Sequence, residues 1–438
     1  MAPCVLVNQM GAFCGTLSVA ENPSLPNGRH IDLRVVVVPA RSAPVAADPV
    51  FFIAGGPGGA STQDWASAPA TFPGVHLHHD IVLVDQRGTG ASHQLQLPPP
   101  LPGENLPDYA RRVLPAIDGD PIYYTTAVAM DDLDAVRAAL GYSRIDLYGS
   151  SYGATAVQYY LRQHGDHVRT AVLDGGTLID FPIMELVAAN SQHALDAVMD
   201  RCASDFECST AFPNLRSEFS AVITRLDRAP VATNVIDVST GTQVVVTHEM
   251  FAGVIHSRLL NANDAATIPW FIHRVANGHY EDVASGGGGI SVPTLVMSLE
   301  IRCSEAWARF NPDEVRRTGS GSYYVSAQLV AALMQAEACP LLRQGYVPAG
   351  DGRPALTSVP VLLLNGAADP QDPPSNVADA SVDMPNSLVV SVPGQGHTVG
   401  HLWCLPTLVA DFIASAAADA DAAHRCTETI PIPPFKVA

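Results

Sequence analysis

Along the first 175 residues, short β-branched runs alternate with stretches whose apolar residues recur at helical spacing. Arg34-Val35-Val36-Val37-Val38, Val50-Phe51-Phe52-Ile53 and Ile81-Val82-Leu83-Val84 are bounded by Pro, Gly or Asp, as strands buried on both faces are. Met130 to Leu140 carries a helical pattern that stops at Gly141, a helix C-cap. Ser143 to Tyr148 then reads as a short buried strand, Ala154 to His164 as a helix and Val168 to Leu173 as a further buried strand. Strand patterns return at Val359 to Leu364 and Ser387 to Val392, with a helix from about Pro406 to Ala416. This alternation predicts an α/β fold with a mostly parallel central sheet covered on both faces.

Between about Gly175 and Ala355 the pattern turns helical: Glu185 to Cys202, Leu215 to Arg228, Met250 to Leu260, Ile268 to Asn277 and Ser326 to Ala336. A largely helical insertion between sheet strands is the expected position for a lid over the strand ends. Residues 1–175 and 356–438 are therefore assigned to the core and residues 176–355 to a helical cap. The cap's loops include Ser285 to Gly289 and Gly345 to Pro354, and Pro98 to Pro102 reads as a rigid surface connection.

Composition narrows the partners. A chain of 438 residues suits one large domain carrying an insertion. A net charge of −19 without a basic stripe argues against nucleic acid and anionic membranes. No segment reaches the roughly eighteen apolar residues a membrane span needs. The eight cysteines fall into local pairs, and proximity suggests Cys4–Cys14, Cys202–Cys208, Cys303–Cys339 and Cys404–Cys426. A disulfide framework implies an oxidising compartment, hence a secreted or extracytoplasmic protein; free buried thiols in a cytosolic enzyme are the alternative. Met1-Ala2-Pro3-Cys4 lacks the charged and apolar regions of a signal peptide, so the expectation is an exported protein whose signal is not in this chain. No C-x-x-C occurs and no His lies at ligand spacing from a Cys, so neither metal nor cofactor is expected.

The chemistry centres on Gly149-Ser150-Ser151-Tyr152-Gly153, a G-x-S-x-G between a strand pattern and a helix pattern. On such a turn the serine hydroxyl is exposed, and flanking glycines avoid collisions that a Cβ would make. Serine hydrolysis also needs a base and an acid that holds it, in the order Ser, Asp/Glu, His on this type of sheet. Asp369 follows the strand Val361 to Leu364, with Asp372 its close competitor; His397 follows the last strand in the turn Pro393-Gly394-Gln395-Gly396. His401, one turn on, reads as structural, and His78-His79-Asp80 as a solvated turn rather than a metal site. Ala54-Gly55-Gly56-Pro57-Gly58-Gly59 ends another strand, where a bare N–H can join that of Tyr152 in an oxyanion hole. No Lys-Ser/Thr follows it, so a phosphate loop is excluded. Asp85 and Arg87, in Asp85-Gln86-Arg87-Gly88, read as braces beneath the site.

These motifs, with Gly90, Ser92, Asp369-Pro370 and Gly396-His397, resemble the proline iminopeptidase and tripeptidyl aminopeptidase group of α/β-hydrolases. The resemblance runs from Cys14-Gly15-Thr16-Leu17-Ser18-Val19 to the Cys404–Cys426 region and is closer to the tripeptidyl aminopeptidase-like branch. It implies Ser151 as nucleophile, His397 as general base, Asp369 as its orienter and Gly56 and Tyr152 as oxyanion donors. The iminopeptidase pattern carries His where this chain has Ala54, which departs from strict proline specificity. Exopeptidases of this group hold the substrate ammonium with acidic groups of the cap. Glu305, beside Cys303, is the first candidate and Glu185 the second, with a solvated or helix-capping Glu305 as the alternative. The expectation is a secreted, monomeric serine exopeptidase acting on short peptides. A carboxylesterase or amidase for small molecules is the alternative, since the same triad cleaves esters and the fold does not choose. A catalytically silent binding protein is the third reading, and Ser151 at the elbow excludes the Asp-dependent dehalogenase and epoxide-hydrolase chemistries.

Overall fold

The computed structural model describes residues 1–6, 10–65, 72–95, 97–99, 101, 104–237, 241–286 and 295–438. The strands, in chain order, are β1 (Ala2–Val5), β2 (Gly11–Ala20), β3 (His30–Val38), β4 (Val50–Ile53), β5 (Ile81–Val84), β6 (Ile145–Ser150), β7 (Val168–Asp174), β8 (Val231–Ile236), β9 (Gln243–Val246), β10 (Val361–Gly366) and β11 (Ser387–Val392). Nine of them form one sheet in the order β1-β2-β3-β5-β4-β6-β7-β10-β11. β1 to β3 pair antiparallel and β3 meets β5 antiparallel, whereas every neighbouring pair from β5 to β11 is parallel.

Every residue of β4, β5 and β10 is buried, which is why these strands read as unbroken apolar runs. Their side chains alternate between two cores. Phe51, Ile53, Val361 and Leu363 face one core with the helices Thr126–Leu140 and Tyr152–His164; Phe52, Leu362 and Leu364 face the other with the helix Leu405–Ser415. Gly141 closes the first of these helices in the left-handed conformation, φ 83°, as a C-cap glycine should.

Between β7 and β10 the chain forms the helices Ile183–Ser204, Leu215–Arg228, His248–Leu259, Ile268–Ala276 and Val325–Ala338. They are accompanied by the small antiparallel hairpin β8–β9. The first four share a hydrophobic core of their own, built on Leu195, Val222, Phe251, Phe271 and Ile272. Four disulfides join Cys4–Cys14, Cys202–Cys208, Cys303–Cys339 and Cys404–Cys426, the pairs that proximity suggested. Among the described residues no helix is long and apolar enough to cross a membrane. The Pro98–Pro102 run and the Ser285–Gly289 loop lie partly outside the described residues.

One local expectation fails. His79 is buried rather than solvated, and its Nδ1 lies 2.8 Å from the Asp48 carbonyl oxygen. Packing under the sheet edge, not solvent, accounts for this histidine. The nearby carboxylates of Asp48 and Asp146 are both engaged by Arg169.

Candidate active site

β6 runs straight into the helix Tyr152–His164, and the turn between them is Ser151 with φ 56° and ψ −122°. A non-glycine residue held there stores about 1–3 kcal/mol of strain, which the surrounding packing must over-determine. The flanking glycines show how. A Cβ on Gly149 would lie 2.2 Å from the Gly153 oxygen, and one on Gly153 would lie 2.2 Å from the Ile53 oxygen of β4. Helix and strands can approach this closely only without those side chains. The Ser151 N–H donates to the Asp174 carbonyl at 2.8 Å, fixing the turn to β7.

The loop after β11 carries His397 back over this turn. Its Nε2 lies 2.8 Å from Ser151 Oγ, and its Nδ1 lies 2.7 Å from Asp369 Oδ2. Asp369, on the loop after β10, accepts on its other oxygen from the Gln371 N–H at 2.9 Å. Asp372 comes close as well, 3.6 Å from Nδ1, but its carboxylate is held by the Thr177 hydroxyl and the Gln371 amide. Asp369 thus makes the direct hydrogen bond, and Asp372 stands behind it as a second buried charge. Burial works to lower the His397 pKa, yet the hydrogen bond and charge of Asp369, then the charges of Asp372 and Asp174, push it up to about 9. Burial, and then the neighbouring Asp369, push Asp372 up to about 6.

Sequence reasoning missed Asp174, whose place at the end of an apolar strand pattern was the available signal. Fully buried at the end of β7, it accepts from the Tyr148 hydroxyl at 2.7 Å and from the N–H groups of Val399 at 2.7 Å and Gly400 at 3.1 Å. It therefore ties the loop bearing His397 to the centre of the sheet. On the other side, the His397 N–H donates to the Leu260 carbonyl at 2.7 Å, linking the same loop to the insertion. His401 lies exposed on this loop, away from the Ser151 and Asp369 contacts.

The glycine turn after β4 abuts the serine. A Cβ on Gly55 would lie 3.1 Å from Ser151 Cβ, and Gly56, at φ 128°, lines the cavity in front of it. Tyr152 is the first residue of the helix, where N–H groups lack intrahelical acceptors and the helix dipole favours negative charge. Below, Arg87 donates to both oxygens of Asp132 at 2.7 and 2.8 Å, and Asp85 accepts from Thr62 and Ala91, so both residues brace the turns.

The cavity encloses about 380 Å³ and has Ser151 and Gly56 on one side and Leu178, Phe181, Ile183 and Met184 among its apolar walls. Glu305 and Glu185 both line it and both are buried. Glu305 stands on the π-helical turn Arg302–Ala306, and its carboxylate accepts from the Thr126 N–H at 2.7 Å and the Thr126 hydroxyl at 2.8 Å. It thereby caps the helix Thr126–Leu140, the alternative weighed for it, while facing the cavity. Thr126 in turn bonds the Tyr152 hydroxyl at 2.7 Å. Burial pushes Glu305 up to about 8, against the hydrogen bonds that hold it. Glu185 accepts from the Asn311 N–H at 2.8 Å.

Two family models match the chain. The first, described as alpha/beta hydrolase fold, spans residues 48–218, from β4 through the elbow and into the insertion. The chain has the α/β-hydrolase fold. The second model, described as TAP-like protein, matches residues 325–426, the part that carries Asp369 and His397. Among curated proteins the chain is similar to the serine protease Hip1 of Mycobacterium tuberculosis, 27% identical over 194 residues that cover 38% of this chain and 36% of that protein. It is 28% identical over 187 residues to the tripeptidyl aminopeptidase of Streptomyces coelicolor, covering 37% and 34%. The matched stretch spans about a third of each relative's own length. A solved proline iminopeptidase from Mycobacterium smegmatis is similar at 14% identity and a TM-score of 0.41, with 94% of this chain and 99% of that chain covered.

Proposed function

We propose that this hydrolase is an extracytoplasmic serine exopeptidase that removes short peptides from a free N-terminus through an acyl-enzyme. The observation that carries the reading is the Ser151–His397–Asp369 hydrogen-bonded line, 2.8 and 2.7 Å, opening on a cavity that holds the buried carboxylate of Glu305. In this reading His397 Nε2 takes the Ser151 proton as Oγ attacks the substrate carbonyl. Asp369 holds the imidazole in the tautomer that leaves Nε2 free and stabilises the imidazolium. The N–H groups of Gly56 and Tyr152 take the oxyanion, and the imidazolium then protonates the leaving amine.

Residues 176–355 act as the cap, which restricts entry to chain ends and small substrates. Glu305 receives the substrate ammonium, supported by Glu185 at the same cavity. An ammonium beside it offsets the burial that raises its pKa, so binding draws a proton off Glu305. The tripeptidyl aminopeptidase and serine protease relatives support peptides as substrates, and the four disulfides support an oxidising compartment. The apolar walls of the cavity favour a second reading, cleavage of small esters or amides.

Tripeptidyl and aminoacyl anilides set beside p-nitrophenyl esters separate the two. Glu305→Gln should lower kcat/KM far more for free-amine peptides than for esters, and calorimetry in buffers of different ionisation enthalpy should show proton release on peptide binding. Ester turnover with no hydrolysis of any free-amine peptide would sink the peptidase reading. Ser151→Ala should lose turnover by about a thousandfold or more together with labelling by a fluorophosphonate.

A further inference from the structure

The cavity is also lined by a cation that makes no ion pair among the described residues. Arg302 shares the π-helical turn with Glu305 and lines the cavity with Ser151. Its side chain is exposed to solvent at the cavity. Four acids line the same space: Asp180, Glu185, Glu305 and Asp372. Glu185 is occupied by the Asn311 N–H, Glu305 by Thr126, and Asp372 by Thr177 and Gln371, while Asp180 points its charge to solvent as an exposed residue. Among the described residues none of the four makes an ion pair with Arg302, and burial is the sole influence on its pKa, a lowering one. The neighbouring Arg309, by contrast, is paired with Asp351 at 2.9 Å. The Cys303–Cys339 disulfide sits between Arg302 and Glu305 in sequence and anchors their turn to the chain beyond the helix Val325–Ala338.

A guanidinium open to the cavity presents a planar fork that matches a carboxylate, and an anion there meets it with paired charge-assisted hydrogen bonds. In a chain of net charge −19, with acids within the same cavity, leaving one arginine unpaired reserves it for something absent from the protein. We propose that Arg302 binds a carboxylate of the substrate, so that the preferred substrates are short peptides bearing an anionic group as well as a free amine. This rests on the serine-hydrolase reading of the cavity. Two sources supply such a carboxylate: an acidic side chain, or the C-terminus of a peptide short enough to lie wholly inside.

The test compares matched pairs. Ala-Ala-Glu against Ala-Ala-Gln p-nitroanilide reads a side-chain carboxylate, and a free tetra-alanine acid against its amide reads a terminal one. The protein should favour the acid of one pair by about 10-fold to 100-fold in kcat/KM, the worth of a charge-assisted hydrogen bond. Arg302→Gln should bring that ratio close to one, and Arg302→Lys should retain part of it. An equal ratio in the protein and in Arg302→Gln, or no acid preference in either pair, overturns the proposal. Calorimetry on Ser151→Ala, with and without Arg302→Gln, reads the same acid-to-amide difference as binding. Loss of that difference in the double variant supports the carboxylate site even where turnover is absent. A protein that neither turns over any substrate nor takes a fluorophosphonate refutes the hydrolase reading instead.

Discussion

In the proposed mechanism His397 must be neutral to take a proton from Ser151, yet the carboxylates around it raise its pKa from 6.5 to about 9. The rise is worth roughly 3 kcal/mol net of the opposing burial. On that footing only about one molecule in a hundred carries a neutral imidazole at pH 7, and kcat/KM should climb about tenfold per pH unit up to about pH 9. Asp372 is the adjustable part. It lies 3.6 Å from Nδ1, gains its charge above about pH 6, and leaves the direct bond to Asp369 intact. Asp372→Asn keeps an acceptor for the Thr177 hydroxyl while removing one of three contributing charges. The midpoint of the acid limb should fall by about one pH unit, so the variant should exceed the parent about tenfold at pH 7 and lose that advantage by pH 10. The assay is kcat/KM for one anilide from pH 5 to pH 10 in buffers of constant ionic strength. A parent midpoint near 6.5, or a midpoint that does not move in Asp372→Asn, would refute the reasoning. Stability should run the other way. A histidine whose folded pKa is raised contributes stability that is fully present below pH 6.5 and is lost as pH rises through about 9. Glu305, raised from 4.5 to about 8 by burial of its charged form, adds a loss of stability that runs from about pH 4.5 to about pH 8. Thermal unfolding should therefore show a falling midpoint across the pH range in which activity grows.

Three further outcomes follow from the geometry. Asp174→Ala removes the acceptor for two loop N–H groups and for Tyr148, and should lower kcat about 10-fold to 100-fold with a smaller change in KM, read by steady-state kinetics. Gly153→Ala drives a Cβ to 2.2 Å from the Ile53 oxygen, and should cost about 3 kcal/mol in denaturant unfolding; a cost near zero would contradict the close approach of helix and strand. Arg87→Met leaves the buried Asp132 without its guanidinium, and should cost about 3–5 kcal/mol, much of which Arg87→Met with Asp132→Leu should recover.

Strands and elbow were legible because their causes are local. A strand buried on both faces must be apolar at consecutive positions, and β4 and β5 begin and end where their residue runs do, as does β11, half-buried at the sheet's edge. The elbow needs five contiguous residues, and each triad member sits directly after a strand that its neighbours announce. The β1–β2 edge was less visible because β2 is exposed at alternate positions and built from Gly, Cys, Thr and Ser among its apolar residues. The β8–β9 hairpin escaped for the same reason, being half-exposed within a helical region.

The sequence by itself determined the sheet's central strands, the serine at the elbow and the order serine, aspartate, histidine along the chain, and it suggested the local pairing of the cysteines. All of these depend on residues close together along the chain or on side chains that have one suitable environment. Only the tertiary structure separated Asp369 from Asp372, three residues apart on one loop, because loop conformation alone decides which oxygen meets Nδ1 at 2.7 Å and which stops at 3.6 Å. It alone showed Asp174 gripping the histidine loop 225 residues later, and Glu305 capping a helix that begins 179 residues earlier. Contacts across such distances leave no periodic trace, since the chain between them is free to vary. That Arg302 makes no ion pair among the described residues belongs with them: whether a charge meets a partner is decided only once every neighbour has been folded into position.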